Sequence, residues 1–286
     1  MPGDPTARVP PRRRLPAPRS LPGQALLVLA CAVVLVPCYF LVLGAFKTVP
    51  EFFSSPFSPP QSWGLDNFVE AWDEADLTTA FRNSVLITAT SVLLSTACAC
   101  LAAYAIARMT RGANLLQTLF VAGLVLPTQL IVIAAFVEMR WLGLIGTPWP
   151  VIILYAVYGL PLAVLLLTGF FRTLPPQLLE AAAIDGAGAW RQFALIALPL
   201  ARVPIFTVIL LNSVWTWNDF FVPLVFANHE SLQTVPLAIL NFYGENTTNY
   251  GLVFAGVTMS AIPVLAVYIL MTRQFIGGVV AGAIKG

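Results

Sequence analysis

The sequence predicts an all-α, polytopic membrane protein with six transmembrane helices. Six apolar runs, near 24–46, 82–107, 114–139, 150–172, 203–226 and 251–272, dominate the chain. Each approaches or exceeds the roughly 20 residues a helix needs to cross the hydrocarbon core. Of 286 residues, 58% are hydrophobic and 10% charged, and the mean hydropathy is +0.84. Soluble domains carry about 25% charged residues. Lysines and arginines gather on alternate segments between the runs, which fixes an orientation.

Taken in order, residues 1–23 are rich in proline and arginine (PPRRRLPAPRS) and read as a disordered basic tail. The run from Gln24 to about Phe46 is too long for a signal-peptide core, and no A-x-A site follows it. It reads as an uncleaved first membrane helix. The segment after it is long and acidic. Its aromatic residues suit a membrane interface, and Asp66 to Ala75 has the pattern of a short amphipathic helix. The loop around Trp141 to Pro148 is short, and the one from Asn228 to Tyr250 is polar. Proline at 127, 161 and 263 is expected to interrupt the third, fourth and sixth spans.

With the N-terminus in the cytoplasm, Arg8, Arg12, Arg13, Arg14, Arg19, Arg108, Arg111, Arg172, Arg191, Arg202, Arg273 and Lys285 lie inside. Lys47, Arg82 and Arg140 lie outside. The positive-inside rule then places both termini in the cytoplasm.

Several chemistries are missing from the pattern. There is no G-x-x-x-x-G-K-[ST] run, so no P-loop for ATP. With one histidine, His229, no Ser/His/Asp or Cys/His set can be assembled. The four cysteines, Cys31, Cys38, Cys98 and Cys100, sit in apolar runs and read as packing residues, not as metal ligands or disulfides. Asp219 is the clear carboxylate within a span, and Glu138 lies near an outer end. Proton-driven pumps carry several such groups along a pathway. The sequence therefore describes a membrane body with no catalytic residues, no bound cofactor and no nucleic-acid partner.

The longest inside loop, about 173–202, is EAAAIDGAGAWRQFALIALP at its centre. Pro175 and Pro176 suit a helix start, where the N–H is not needed. LLEAAAID is built from good helix formers, and Gly186 and Gly188 suit its stop. AWRQFALIAL reads as a second short helix closed by Pro199. Helices this short are marginal alone in water. Spacing leaves two readings open: an element that docks on a partner, or a strut on the lipid surface.

The same loop resembles the cytoplasmic signature of membrane subunits of binding-protein-dependent ABC importers. Its pattern is E-A-A, three residues, G, nine residues, I, one residue, L-P. Here Glu180-Ala181-Ala182, Gly186, Ile196 and Leu198-Pro199 fill it without departure. Asn83 with the run after it, LPTQL at 126–130, FFRTLP at 170–175, WNDFFVPL at 217–224 and AGAIKG at 281–286 resemble the di- and oligosaccharide permeases of the maltose type. In that branch the chain is similar to the shorter, six-helix partner of a permease pair. The resemblance covers nearly everything after residue 24 and implies a type I importer permease domain over 24–286.

It further implies a bacterial or archaeal cytoplasmic membrane and two separate ATP-binding subunits that hold ATP and Mg. A second homologous permease and an extracytoplasmic solute-binding protein would complete the assembly. Glu180, Ala181, Ala182 and Gly186 would contact the ATPase, and AGAIKG would also approach it.

The fifth span carries Asn212, Trp215, Asp219 and Val222 at spacings of three and four, which share one face of a helix. A carboxylate costs about 2.5–3.5 kcal/mol at a helix centre in the membrane, so Asp219 should face the bundle or a wet cavity. A polar stripe beside an aromatic plate suits a sugar, whose hydroxyls need partners and whose C–H faces stack on rings. The second reading is a structural Asp219 satisfied by a neighbouring helix, or by Arg82 or Arg140. Gln129, one turn from the Pro127 break, is a further candidate for the path.

Sugar import is thus the leading expectation. Uptake of glycerol-phosphate or another polyol derivative would call for more cationic groups on the path. A stand-alone secondary transporter or channel would call for intramembrane coupling ions and no docking loop.

Overall fold

A computed structural model describes residues 21–227, 229–243 and 248–283, with side chains placed over 23–227, 229–243 and 248–270. The basic tail through residue 20, and AGAIKG from residue 284 on, lie outside the described residues. The chain runs α1 (Leu21–Gly44), α2 (Val49–Ser54), α3 (Asp66–Glu74), α4 (Leu77–Arg108), α5 (Ala113–Gly123), α6 (Thr128–Trp141) and α7 (Trp149–Phe171). The loop helices α8 (Pro176–Ile184) and α9 (Ala189–Gln192) follow, then a π-helical turn (Phe193–Ala197) and α10 (Leu198–Leu200). The rest is α11 (Arg202–Asn218), α12 (Phe221–Phe226), α13 (Val235–Leu240) and α14 (Tyr250–Ala283).

Among the described residues, four helices are long and apolar enough to cross a membrane: the Gly23–Gly44 part of α1, then α4, α7, and the Tyr250–Leu270 part of α14. Two bent pairs bring the number to six if each pair is one span. α5 and α6 meet at 94°, and the Ala189–Leu200 segment meets α11 at 72°. The all-α polytopic class therefore holds, but two expected spans are not single helices. The run 114–139 breaks because Pro127, N-cap of α6, has no N–H to continue the ladder. The run 203–226 divides after Asn218, where Asp219 takes an extended conformation (ψ 133°).

Pro161 and Pro263, expected to interrupt their spans, instead lie inside continuous helices. Pro199 does not close the second loop helix either. The π turn ahead of it opens the spiral, with Leu198 N–H donating to Phe193 O, and the helix continues to Leu200. A wider turn relieves the clash between the proline ring and the carbonyl four residues back.

The body is organised around α4 and α7, which pack along each other. Three buried clusters follow the bundle. At the end carrying α8 and α9 lie Ala99, Ala103, Ala163, Val164, Leu167 and Phe171, with Phe193 and Ala197. Midway lie Ile87, Val132, Ala135, Val151, Tyr155 and Val222. At the far end Ala71, Leu77, Val235, Leu252 and Ala255 bring α3, α13 and α14 together. α1 stands against α14 with only 6% of its apolar window buried.

The acidic segment after α1 is folded down. Asn67 Nδ2 donates to Ala45 O and Lys47 O, both at 2.9 Å. Lys47 is fully buried, its ammonium on Ser55 O (2.7 Å) and Pro56 O (3.1 Å). Part of the aromatic content expected at an interface packs internally: Phe52 lies 5.2 Å from Phe254 and 5.5 Å from Tyr250. Phe53, Phe57 and Trp63 remain exposed. α3 is the expected short amphipathic helix.

Candidate coupling loop and solute path

α8 starts on Pro176, with Pro175 as its N-cap. It ends in a Schellman motif: Gly186 N–H donates to Ala183 O (3.0 Å) and Ala187 N–H to Ala182 O (2.8 Å). Gly186 has φ +79°, a conformation side chains rarely take, and a Cβ there would meet nothing within 4 Å. Glycine is thus required by the backbone angle and not by crowding within this chain. Gln192 Nε2 donates to Ala187 O at 2.9 Å and holds the turn against α9.

The loop grips the body through few side chains. Leu179 is the buried residue of α8. Phe193 is buried beside Tyr104 of α4 (5.1 Å) and Trp190 (5.4 Å), and Tyr104 lies edge-on to Phe171 of α7 (5.5 Å). The outward face is the reverse. Glu180, Ala181 and Gly186 are exposed and Ala182 is half-buried. Ile184 is 88% and Trp190 68% exposed. A short two-helix element, fixed at its base, thus presents small and apolar residues outward.

The path candidates converge on α7. Asn212 is buried and donates to Gly159 O at 3.4 Å. A Cβ on Gly159 would stand 2.7 Å from both Asn212 Nδ2 and Ser95 Oγ, so glycine lets α4, α7 and α11 cross here. Trp215, 42% exposed, lies edge-on to Tyr155 (5.6 Å, 83°) and Tyr158 (5.9 Å, 71°). Asp219 Oδ2 accepts from Tyr155 Oη (2.8 Å) and from Val222 N–H (3.1 Å). Gln129 is exposed next to Thr128, whose carbonyl accepts from Tyr158 Oη at 3.3 Å.

The expected stripe therefore survives in altered form. Asp219 keeps its N–H on Trp215 O at the end of α11, the chain turns away after it, and its carboxylate accepts from Val222 N–H in the first turn of α12. Its other donor is Tyr155 of α7, a neighbouring helix as in the structural reading, and neither Arg82 nor Arg140. Asn212 serves the helix crossing and not an open surface. Trp215 and Gln129 keep exposed surface on the side of the two helix breaks.

This arrangement can offer a solute one aromatic edge and one carboxylate held by donors on a single oxygen. Among the described residues, no group of three or more His, Cys, Asp or Glu could hold a metal ion.

Residues 80–274 match the family of binding-protein-dependent transport system inner membrane components. The chain belongs to that family. Over 266 residues it is 32% identical to the diacetylchitobiose uptake system permease protein of Streptomyces coelicolor, covering 92% of this chain and 88% of the relative. It is 32% identical to the melibiose/raffinose/stachyose import permease protein of Bacillus subtilis, covering 91% and 94%. It is 30% identical to the trehalose/maltose transport system permease protein of Thermococcus litoralis, covering 91% and 94%. Its fold is that of a chain from a bacterial ABC transporter involved in import of the acidic polysaccharide alginate. That match has a TM-score of 0.75 at 20% identity and covers 88% of this chain and 94% of the other.

In this permease the sequence reading passed over Tyr155 and Tyr158. The signal was there: two hydroxyl-bearing rings three residues apart in an apolar span. A buried tyrosine hydroxyl needs a partner, and three residues is the spacing that puts both on one face.

Proposed function

We propose that the chain is a permease subunit of an ATP-driven importer that carries a neutral di- or oligosaccharide across the cytoplasmic membrane, with both termini cytoplasmic. Glu180, Ala181, Ala182 and Gly186 dock on separate ATP-binding subunits, present in two copies, which hold ATP and Mg. An extracytoplasmic binding protein delivers the solute, and a second homologous permease completes the path, in which Trp215, Asp219 and Gln129 form part of the wall. Asn212 supports that wall from the helix crossing.

The observation that carries this reading is the exposed, Schellman-closed loop on a membrane body. Apolar side chains facing water, on helices too short to stand alone, support a partner on that face. Relatives named for diacetylchitobiose, melibiose and trehalose/maltose support a sugar. The carboxylate of Asp219 beside an exposed indole supports a neutral hydroxylated solute over an anionic one such as glycerol-phosphate. The exposure of Trp215 and Gln129 supports a second permease, because one chain leaves that wall open.

The test is purification of the tagged chain from its own membranes, with identification of co-purifying subunits. Uptake of labelled melibiose, maltose and diacetylchitobiose is then measured in proteoliposomes with ATP inside. ATP-dependent uptake together with a bound ATPase is the expected result. Uptake by this chain alone without ATP would replace the proposal with a secondary transporter.

A further inference from the structure

Two helices of the body are broken, and both breaks are held by the same face of α7. α5 gives way to α6 ahead of Thr128, and α11 gives way to α12 at Asp219. Tyr158 Oη donates to the carbonyl of Thr128, the first residue of α6, at 3.3 Å. Tyr155 Oη donates at 2.8 Å to the carboxylate that starts α12. Three residues apart, the two rings lie along one side of α7. Trp215, in the last turn of α11, lies edge-on to both. A single line of contacts thus runs from one break to the other: Thr128, Tyr158, Trp215, Tyr155, Asp219.

Tyr155 is 2% exposed, so its hydroxyl has no water to turn to if Asp219 moves away. A buried unpaired hydroxyl is costly, and the bond to a carboxylate is stronger in a low-dielectric interior than in water. Neither break can shift along α7 without stretching this line.

We propose that Tyr155 and Tyr158 are positioning residues that lock the two helix breaks to each other through α7, so that Asp219 and Gln129 keep a fixed separation along the solute path. The proposal rests on the reading of Asp219 and Gln129 as path residues. The lock itself rests only on the geometry. Asp219 spends Oδ2 on Tyr155 and Val222, and among the described residues both donors reach that oxygen. The lock therefore decides where the carboxylate stands when a solute hydroxyl arrives.

The experiment measures one distance in the assembled transporter. Val125, 81% exposed, and Phe220, 47% exposed, flank the two breaks. In a chain with Cys31, Cys38, Cys98 and Cys100 changed to alanine, both positions are changed to cysteine and spin-labelled. The complex is reconstituted in lipid without nucleotide. The expected result is one narrow distance distribution, lost to a broad or shifted one in Tyr155→Phe and in Tyr158→Phe. Each variant keeps its ring and removes one hydroxyl. A merely structural tyrosine would lower the yield of complex and leave the distance in assembled complex unchanged.

An unchanged distribution in Tyr155→Phe overturns the proposal. If that variant fails to assemble, an unchanged distribution in Tyr158→Phe overturns it. Solute uptake is scored separately on Asp219→Ala. A lock that behaves as expected beside unaltered uptake would remove the path reading and keep the lock.

Discussion

Tyr155 Oη lies 2.8 Å from Asp219 Oδ2, a hydrogen bond that joins the first third of α7 to the point where α11 ends. The same oxygen takes the N–H of Val222, so one carboxylate both closes a helix break and anchors it.

Asp219→Ala is expected to do two things. It strands the buried Tyr155 hydroxyl, at about 1–3 kcal/mol, and lowers the amount of assembled complex. In the proposed path it also removes a charged acceptor, worth about 1.5–3 kcal/mol, or roughly ten- to hundredfold in uptake. Asp219→Asn keeps an oxygen for Tyr155 and Val222, so its assembly should stay near wild type and its uptake fall less. Uptake per assembled complex separates the two effects. Equal values in wild type and Asp219→Ala would assign the residue to structure alone.

At Gly186 the backbone demands a left-handed residue, and the space beside it is open. Gly186→Asn tolerates that conformation, whereas Gly186→Ala should cost about 1–2 kcal/mol in the cap. Gly186→Asp strains the cap about as Gly186→Asn does and meets no atom of this chain, so any defect beyond that of Gly186→Asn is expected on the partner's side: similar membrane abundance, lost ATPase co-purification and lost transport. Normal transport in Gly186→Asp would take the loop out of the mechanism.

Ala183 and Trp63 are exposed at opposite ends of the bundle. In a cysteine-free background, Trp63→Cys should react with an impermeant maleimide on intact cells. Ala183→Cys should react only after the membrane is opened. Labelling of Ala183→Cys from outside would invert the topology.

Gly159→Ala places a methyl 2.7 Å from Asn212 Nδ2 and Ser95 Oγ, at the crossing of three helices. Overpacking of this kind costs about 1–3 kcal/mol. The expected outcome is a lower melting temperature in detergent and less protein in the membrane. Gly169→Ala, with nothing within 4 Å, is the matched control and should melt like wild type.

The hydropathy of the runs made the spans legible, because length and composition alone decide whether a helix can cross. The loop was legible for a different reason: Pro176 and Gly186 each have one strong backbone preference, and α8 lies between them. Prolines inside spans were less legible. Pro127 sits at a break while Pro161 and Pro263 do not, because neighbouring helices decide whether a missing N–H becomes a bend. The end of α11 at Asp219 could not be read from residue spacing. The donor its carboxylate meets, Tyr155, is 64 positions away.

α7 stays continuous through Pro161, from the aromatic seat of the loop at Phe171 to the tyrosines beside the breaks. The proline leaves the carbonyl of Val157 without its usual helical donor. It lies ten residues from Phe171, about 15 Å at 1.5 Å per residue, and α5 presses on it where Gly123 meets its ring. A rod with one soft point partway along does not slide when pushed at its end. Under the proposed coupling it is expected to flex about that point, so that a push on the loop would reach Tyr158 and Tyr155 as a change of angle, with Gly123 as the fulcrum.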